Sequence, residues 1–141
     1  MRVNFIIFKW SLLIGAIYFF LVSIVHMFGF KIPVLFIYFD VPSYTYQDKI
    51  ISFLCFGWSI FLFTAFINPL KNIDLVKATL IAGSGAIVGL CIINLRTDFS
   101  ELSQNISVSR FWVETVGLSI YLIWLILFYL RSKKEITTKR R

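Results

Sequence analysis

Four apolar runs, each long enough to cross a lipid bilayer as a helix, decide what this chain can fold into. A crossing helix needs about 20 predominantly apolar residues, with a workable range of about 17 to 25. The runs Trp10 to Phe28, Ile50 to Ile67, Ala78 to Leu95 and Phe111 to Leu130 all meet that requirement. Asn68 and Pro69 stop the second run, and His26 is the only ionisable residue of the first. Arg2 ahead of an apolar run resembles the start of a secretory signal, but no cleavage-site pattern of small residues follows His26, so the first run is expected to stay as an anchor.

Composition supports the same solvent. Hydrophobic residues make up 59% of the 141 and charged residues 15%, against about 25% charged in a soluble domain. The net charge of +7 would suggest nucleic acid in a soluble protein. Here six cations, Arg131, Lys133, Lys134, Lys139, Arg140 and Arg141, lie in a tail directly behind an apolar run. That arrangement attracts anionic lipid and fixes topology, and no basic face with interleaved aromatics points to nucleic acid. Cations on alternate sides of the spans divide ten against four. Arg2, Lys9, Lys71, Lys77 and the tail face Lys31, Lys49, Arg96 and Arg110, which predicts both termini inside an inner membrane.

The expected fold is all-α: a membrane-spanning, up-down-up-down four-helix bundle over residues 1–130, followed by a basic cytoplasmic tail, 131–141. The short linker Asn68 to Lys77 makes the second and third spans antiparallel neighbours, and the segment Arg96 to Arg110 does the same for the third and fourth. Asn105-Ile-Ser107 is a glycosylation sequon in the latter. Between the first two spans Ile32-Pro-Val-Leu-Phe-Ile-Tyr-Phe39 is apolar but too short to cross. With Pro33 and Pro42 as helix breakers, it is expected to lie in the membrane interface with Phe36, Tyr38, Phe39, Tyr44 and Tyr46 at headgroup level. It would serve there as an anchoring flap, or as a lid over a cavity to which Asp40 and Asp48 lend polar contacts.

Lipid offers side chains no hydrogen bonds, so polar residues within a span mark its inward face. Asp48, Ser52, Cys55 and Ser59 form such a stripe on the second span, and Ser11, Gly15, Tyr18, Ser23 and His26 form one on the first. Glu114, Gly117 and Tyr121 group on the fourth. The third has two small-residue faces, Ala78, Ala82, Gly85 and Gly89 against Gly83, Ser84, Cys91 and Asn94, as suits a helix between two neighbours. Topology then gathers His26, Asp48, Arg96, Arg110 and Glu114 near the outer surface as a candidate polar cluster. Tyr18, Ser52, Cys55, Cys91, Asn94 and Tyr121 are candidates to line a cavity.

The bland account of each is structural. His26 would hydrogen-bond a neighbouring helix, and Glu114 would pair with Arg96 or Arg110 or complement the helix dipole. His26, Cys55, Cys91 and Glu114 are isolated residues on four helices, too scattered a set for a metal site, and the cysteines lack any CxxC spacing. No catalytic residue is assigned, since no nucleophile with a base, no phosphate loop and no strong metal spacing is present, and the residues specify no cofactor.

From Lys49 onward the layout resembles the small four-helix bacterial membrane proteins of the DoxX-like type. The resemblance rests on Asp48-Lys-Ile-Ile-Ser-Phe-Leu-Cys-Phe-Gly57, the glycine-rich third span, Arg96 at its end, and Glu114 opening a span that closes with Leu130-Arg131. It covers about two thirds of the chain. It implies the four-helix architecture and a role for Arg96 and Glu114, with no substrate. The expected function is a non-catalytic accessory or scaffold subunit, in contact with lipid and with protein partners or further copies of itself. The alternatives are binding or transport of a lipophilic ligand in an outward-facing cavity, and a lipid- or quinone-linked enzyme.

Overall fold

The computed structural model describes residues 3–102 and 106–140, with side chains as far as Ser132. Arg2, Asn105 of the sequon and the tail cations beyond Ser132 therefore lie outside the described side chains. Helix α1 spans Val3–Phe28, α2 Thr45–Ile67, α3 Ile73–Arg96 and α4 Val108–Arg140, with a 3₁₀ turn at Phe99–Glu101. All four helices are long and apolar enough to cross a membrane, and no strand occurs among the described residues. The protein is an up-down-up-down membrane bundle. One end, here the loop end, carries the α1–α2 and α3–α4 connections. The other, the tail end, carries the α2–α3 turn.

The helices overrun the apolar runs. α1 begins at Val3 rather than Trp10, because Lys9 sets its ammonium 5.0 Å from the Phe66 ring centre, a site where a cation is tolerated. α3 begins at Ile73 rather than Ala78, with Lys77 and Asp74 paired at 3.0 Å across one turn. α4 continues past Leu130 through Arg140, so the basic tail starts as a helical extension of the last span.

Local chemistry sets the ends. α1 stops at Gly29, whose φ of 70° suits a residue without a Cβ. The Phe30 N–H reaches back to the Val25 carbonyl (2.8 Å) and the Gly29 N–H to that of His26 (3.4 Å), the two bonds of a Schellman motif. The Gln47 side chain accepts the Tyr44 N–H (3.5 Å) at the start of α2. At the tail-end turn Asn68 accepts the Lys71 N–H (3.1 Å), and Asn72 donates to the Thr64 carbonyl (2.8 Å), which ties the turn back onto α2.

Two serines fix the α1–α2 register. Ser52 donates to the Ser23 carbonyl and Ser59 to that of Ala16, both at 2.8 Å, so donors and acceptors repeat every heptad along an antiparallel pair. α1 and α4 are joined through Ser11, whose carbonyl accepts the Tyr121 hydroxyl and whose hydroxyl accepts the Trp124 indole N–H, each at 2.9 Å. Gly15 is required there, because a methyl group in its place would overlap the Tyr121 hydroxyl.

The apolar core, Phe8, Leu12 and Ala16 with Leu62, Ala65, Val76, Leu80, Leu125 and Phe128, fills the tail-end half of the bundle. α2 and α3 are the loosest of the adjacent pairs. α3 does lie against both α2 and α4, as expected, but not through both of its small-residue faces. Gly83 meets Leu122 of α4, but Ala78, Ala82 and Gly85 are exposed. Only 11% of the α3 span is buried, against 39% of α1.

Candidate functional site

The loop end is closed by residues 29–44, which fold into the mouth of the bundle rather than lying flat beside it. Phe36 is buried to 1% exposure and stacks on the His26 ring with centroids 3.9 Å apart. Tyr38 turns inward against Phe111 (4.8 Å) and Phe99 (5.5 Å). Expected headgroup positions are thus replaced by a buried one for Phe36 and a half-buried one for Tyr38, since the apolar core leaves this half of the bundle to be filled. Tyr44 and Tyr46 do face outward, stacked on each other at 5.8 Å.

Each helix contributes at least one side chain to holding the loop. From α1, Tyr18 donates its hydroxyl to the Val34 carbonyl (2.9 Å), and His26 accepts the Ile37 N–H at Nε2 (3.2 Å). An accepting Nε2 places the imidazole proton on Nδ1, which faces Asp48 of α2 at 3.6 Å. Asp48 also accepts the Ser43 hydroxyl (2.8 Å), and Ser43 accepts from Lys31 (2.8 Å), whose ammonium rests 3.9 Å from the Phe36 ring centre. From α3, Asn94 accepts the Tyr38 hydroxyl (2.8 Å) and passes its own amide N–H to Thr115 of α4 (2.9 Å). From α4, Glu114 accepts the Val34 N–H (3.4 Å), and Arg110 pairs with Asp40 (3.3 Å).

These contacts hold a backbone that does not rest easily. Val34 and Tyr38 have φ of 72° and 56°, a region that non-glycine residues seldom occupy. Such conformations cost on the order of 1–3 kcal/mol each and persist where their surroundings over-determine them. Val34 is held on both sides, by Tyr18 at its carbonyl and by Glu114 at its N–H.

The sequence cluster is therefore partly gathered and partly not. His26 and Asp48 are adjacent, and Glu114 and Arg110 both reach the loop, but they engage different loop residues instead of one another. Arg96 lies exposed at the end of α3, without an ion pair to Glu114 among the described residues. Sequence reasoning missed Thr115, Ser43 and the loop's backbone N–H groups, and only the helical phase of Thr115 beside Glu114 could have signalled any of them. No three described His, Cys, Asp or Glu side chains converge.

The candidate lining residues do not share one cavity. Tyr18 and Tyr121 border a pocket of about 350 Å³ on the α1–α4 seam, together with Glu114. Cys55 and Tyr121 border a second of about 340 Å³ between α2 and α3. Ser52 is spent on Ser23, Asn94 on Tyr38 and Thr115, and Cys91 is a half-buried free thiol near Tyr38. Burial, with the Glu114 carboxylate and Cys91 acting in the same direction, pushes the Tyr38 phenol up to about 12, so it stays a donor to Asn94. No family model matches the sequence, and no curated protein or solved structure does so either.

Proposed function

We propose that this multi-pass membrane protein is a non-catalytic accessory or scaffold subunit that presents α3 to a transmembrane helix of a protein partner or of a further copy. The observation that carries the reading is the contrast between the two ends of the polar inventory. The loop-end side chains are engaged by the chain's own loop, while α3 keeps a small-residue face, Ala78, Ala82 and Gly85, uncovered. Within lipid, helices associate through close backbone approach, which small residues permit. The loose α2–α3 cleft beside that face supports a second reading, a lipophilic ligand entering from the bilayer.

In this reading the layout is DoxX-like, the membrane is a cell inner membrane, and both termini are cytoplasmic, with the basic tail against anionic lipid. Gly85→Leu tests the assembly. Nothing lies within 4 Å of a Cβ at Gly85, so the bundle itself tolerates the change. Native mass spectrometry of gently extracted protein is expected to show a complex for the parent chain and a monomer for the variant. A complex unaffected by Gly85→Leu removes the α3 surface from consideration. Membrane-impermeant labelling of single cysteines in the tail and the α2–α3 turn checks orientation, which fails if the two label from opposite sides.

A further inference from the structure

Glu114 stands at the head of a lipid-facing pocket. The pocket of about 350 Å³ lies between α1 and α4, floored by Gly15 and Gly117, walled by Ile14, Val113 and Leu118, and roofed by Val34 of the loop. Ile14 and Val113 at its rim are 63% and 69% exposed, so it opens sideways toward the bilayer. Its volume falls within the range of about 300–1,000 Å³ that takes small molecules.

The hollow continues along the same seam. A second depression of about 540 Å³, bordered by Trp10, Ile120 and Trp124, shares Ile14, Gly117 and Tyr121 with the first. From Glu114 to Trp124 the groove follows α4 for about 15 Å at a rise of about 1.5 Å per residue. Both phenols that border it are committed, Tyr18 to the Val34 carbonyl and Tyr121 to that of Ser11. Glu114 accepts the neutral Val34 N–H, but it is the charged group bordering the pocket and no described cation stands within ion-pair distance of it, since Arg110 pairs with Asp40.

A carboxylate without a cationic partner at membrane depth is costly, and a charged partner offsets that cost. We infer that the α1–α4 seam binds a single-chain amphiphile with a cationic ammonium head, the head on Glu114 and the alkyl chain along the groove past Gly117 toward Trp124. The chain's net charge of +7 repels cations in general, so selective capture of an ammonium has to come from this local carboxylate. The inference is independent of the α3 surface and stands or falls without it.

The test uses the full chain in maltoside micelles and measures retention of dodecylammonium against dodecanol at neutral pH. The parent protein is expected to prefer the amine about tenfold, the equivalent of about 1.4 kcal/mol. Glu114→Gln keeps an acceptor for the Val34 N–H but removes the charge, and is expected to abolish the preference while still retaining the chain. Gly117→Leu fills the groove at a position with nothing within 4 Å of a Cβ, and is expected to lose both probes. Lysophosphatidylethanolamine is the third probe: its retention alongside the amine identifies an aminolipid head, and its exclusion a free amine. Equal retention of amine and alcohol by the parent chain, retention of neither, or undiminished binding by Gly117→Leu overturns the inference. Loop exchange protection, measured in parallel, separates a filled groove from a misfolded variant.

Discussion

Removing one oxygen atom from Tyr38 isolates the bond that joins the loop to α3. In Tyr38→Phe the ring keeps its contacts with Phe99 and Phe111, while the Asn94 Oδ1 loses its 2.8 Å donor. Hydrogen bonds between side chains in membrane proteins are worth about 0.6 kcal/mol on average and about 1.7 at most. Asn94 is 7% exposed, so its abandoned acceptor has little access to water, and the loss belongs toward the upper end, about 1.5 kcal/mol. That corresponds to slightly more than a tenfold rise in the population of the undocked loop. Amide hydrogen exchange is the direct assay, because the Ile37 N–H is bonded to His26 and is freed when the loop leaves. Exchange of peptides covering residues 29–44 is expected to accelerate about tenfold, with the core around Leu12 and Leu125 unchanged. Unaltered loop exchange would refute the view that the phenol latches the loop to α3, and a uniform acceleration across the bundle would show that the bond supports the fold as a whole.

The same phenol predicts an alkaline limit. Its pKa in the docked loop, about 12, exceeds the ordinary value of about 10, so its contribution is fully present below the lower figure and disappears as pH rises through the higher. A difference absorbance titration at the tyrosinate band, parent minus Tyr38→Phe, should show one phenol ionising near 12, and ionisation near 10 would contradict its burial. At the α1–α4 seam, Gly15→Ala should lower stability by about 1–3 kcal/mol through overlap with Tyr121, and Tyr121→Phe in the same chain should recover part of the loss. Denaturation midpoints of the four-member cycle check this, and strict additivity would mean that the overlap is relieved elsewhere.

The spans were legible because their composition admits no other solvent, and so was the inner face of α2, where Asp48, Ser52, Cys55 and Ser59 are all buried. Their ends were not, since Lys9, Asp74 and Lys77 read as interruptions although each is accommodated within a helix. The loop was legible as apolar and non-helical. Its docking was not, because Val34 and Ile37 act through backbone N–H groups, which are the same in every sequence. Glu114 was expected to meet Arg96 or Arg110 on grounds of charge alone, whereas Arg110 has Asp40 beside it. The bare side of α3 was likewise hidden, because small residues on both faces look alike whether or not a neighbour covers them.

Three of the loop's anchors lie far downstream of it in the chain: 56 residues separate Tyr38 from Asn94, 70 separate Asp40 from Arg110, and 80 separate Val34 from Glu114. A ribosome making this protein therefore releases the loop long before those three groups exist, although Tyr18 and His26 precede it and Asp48 follows at once. The first two helices can pair through Ser52 and Ser59 early in synthesis. The α3 and α4 side of the mouth can close only when the last helix has entered the membrane, and that closure marks a finished molecule.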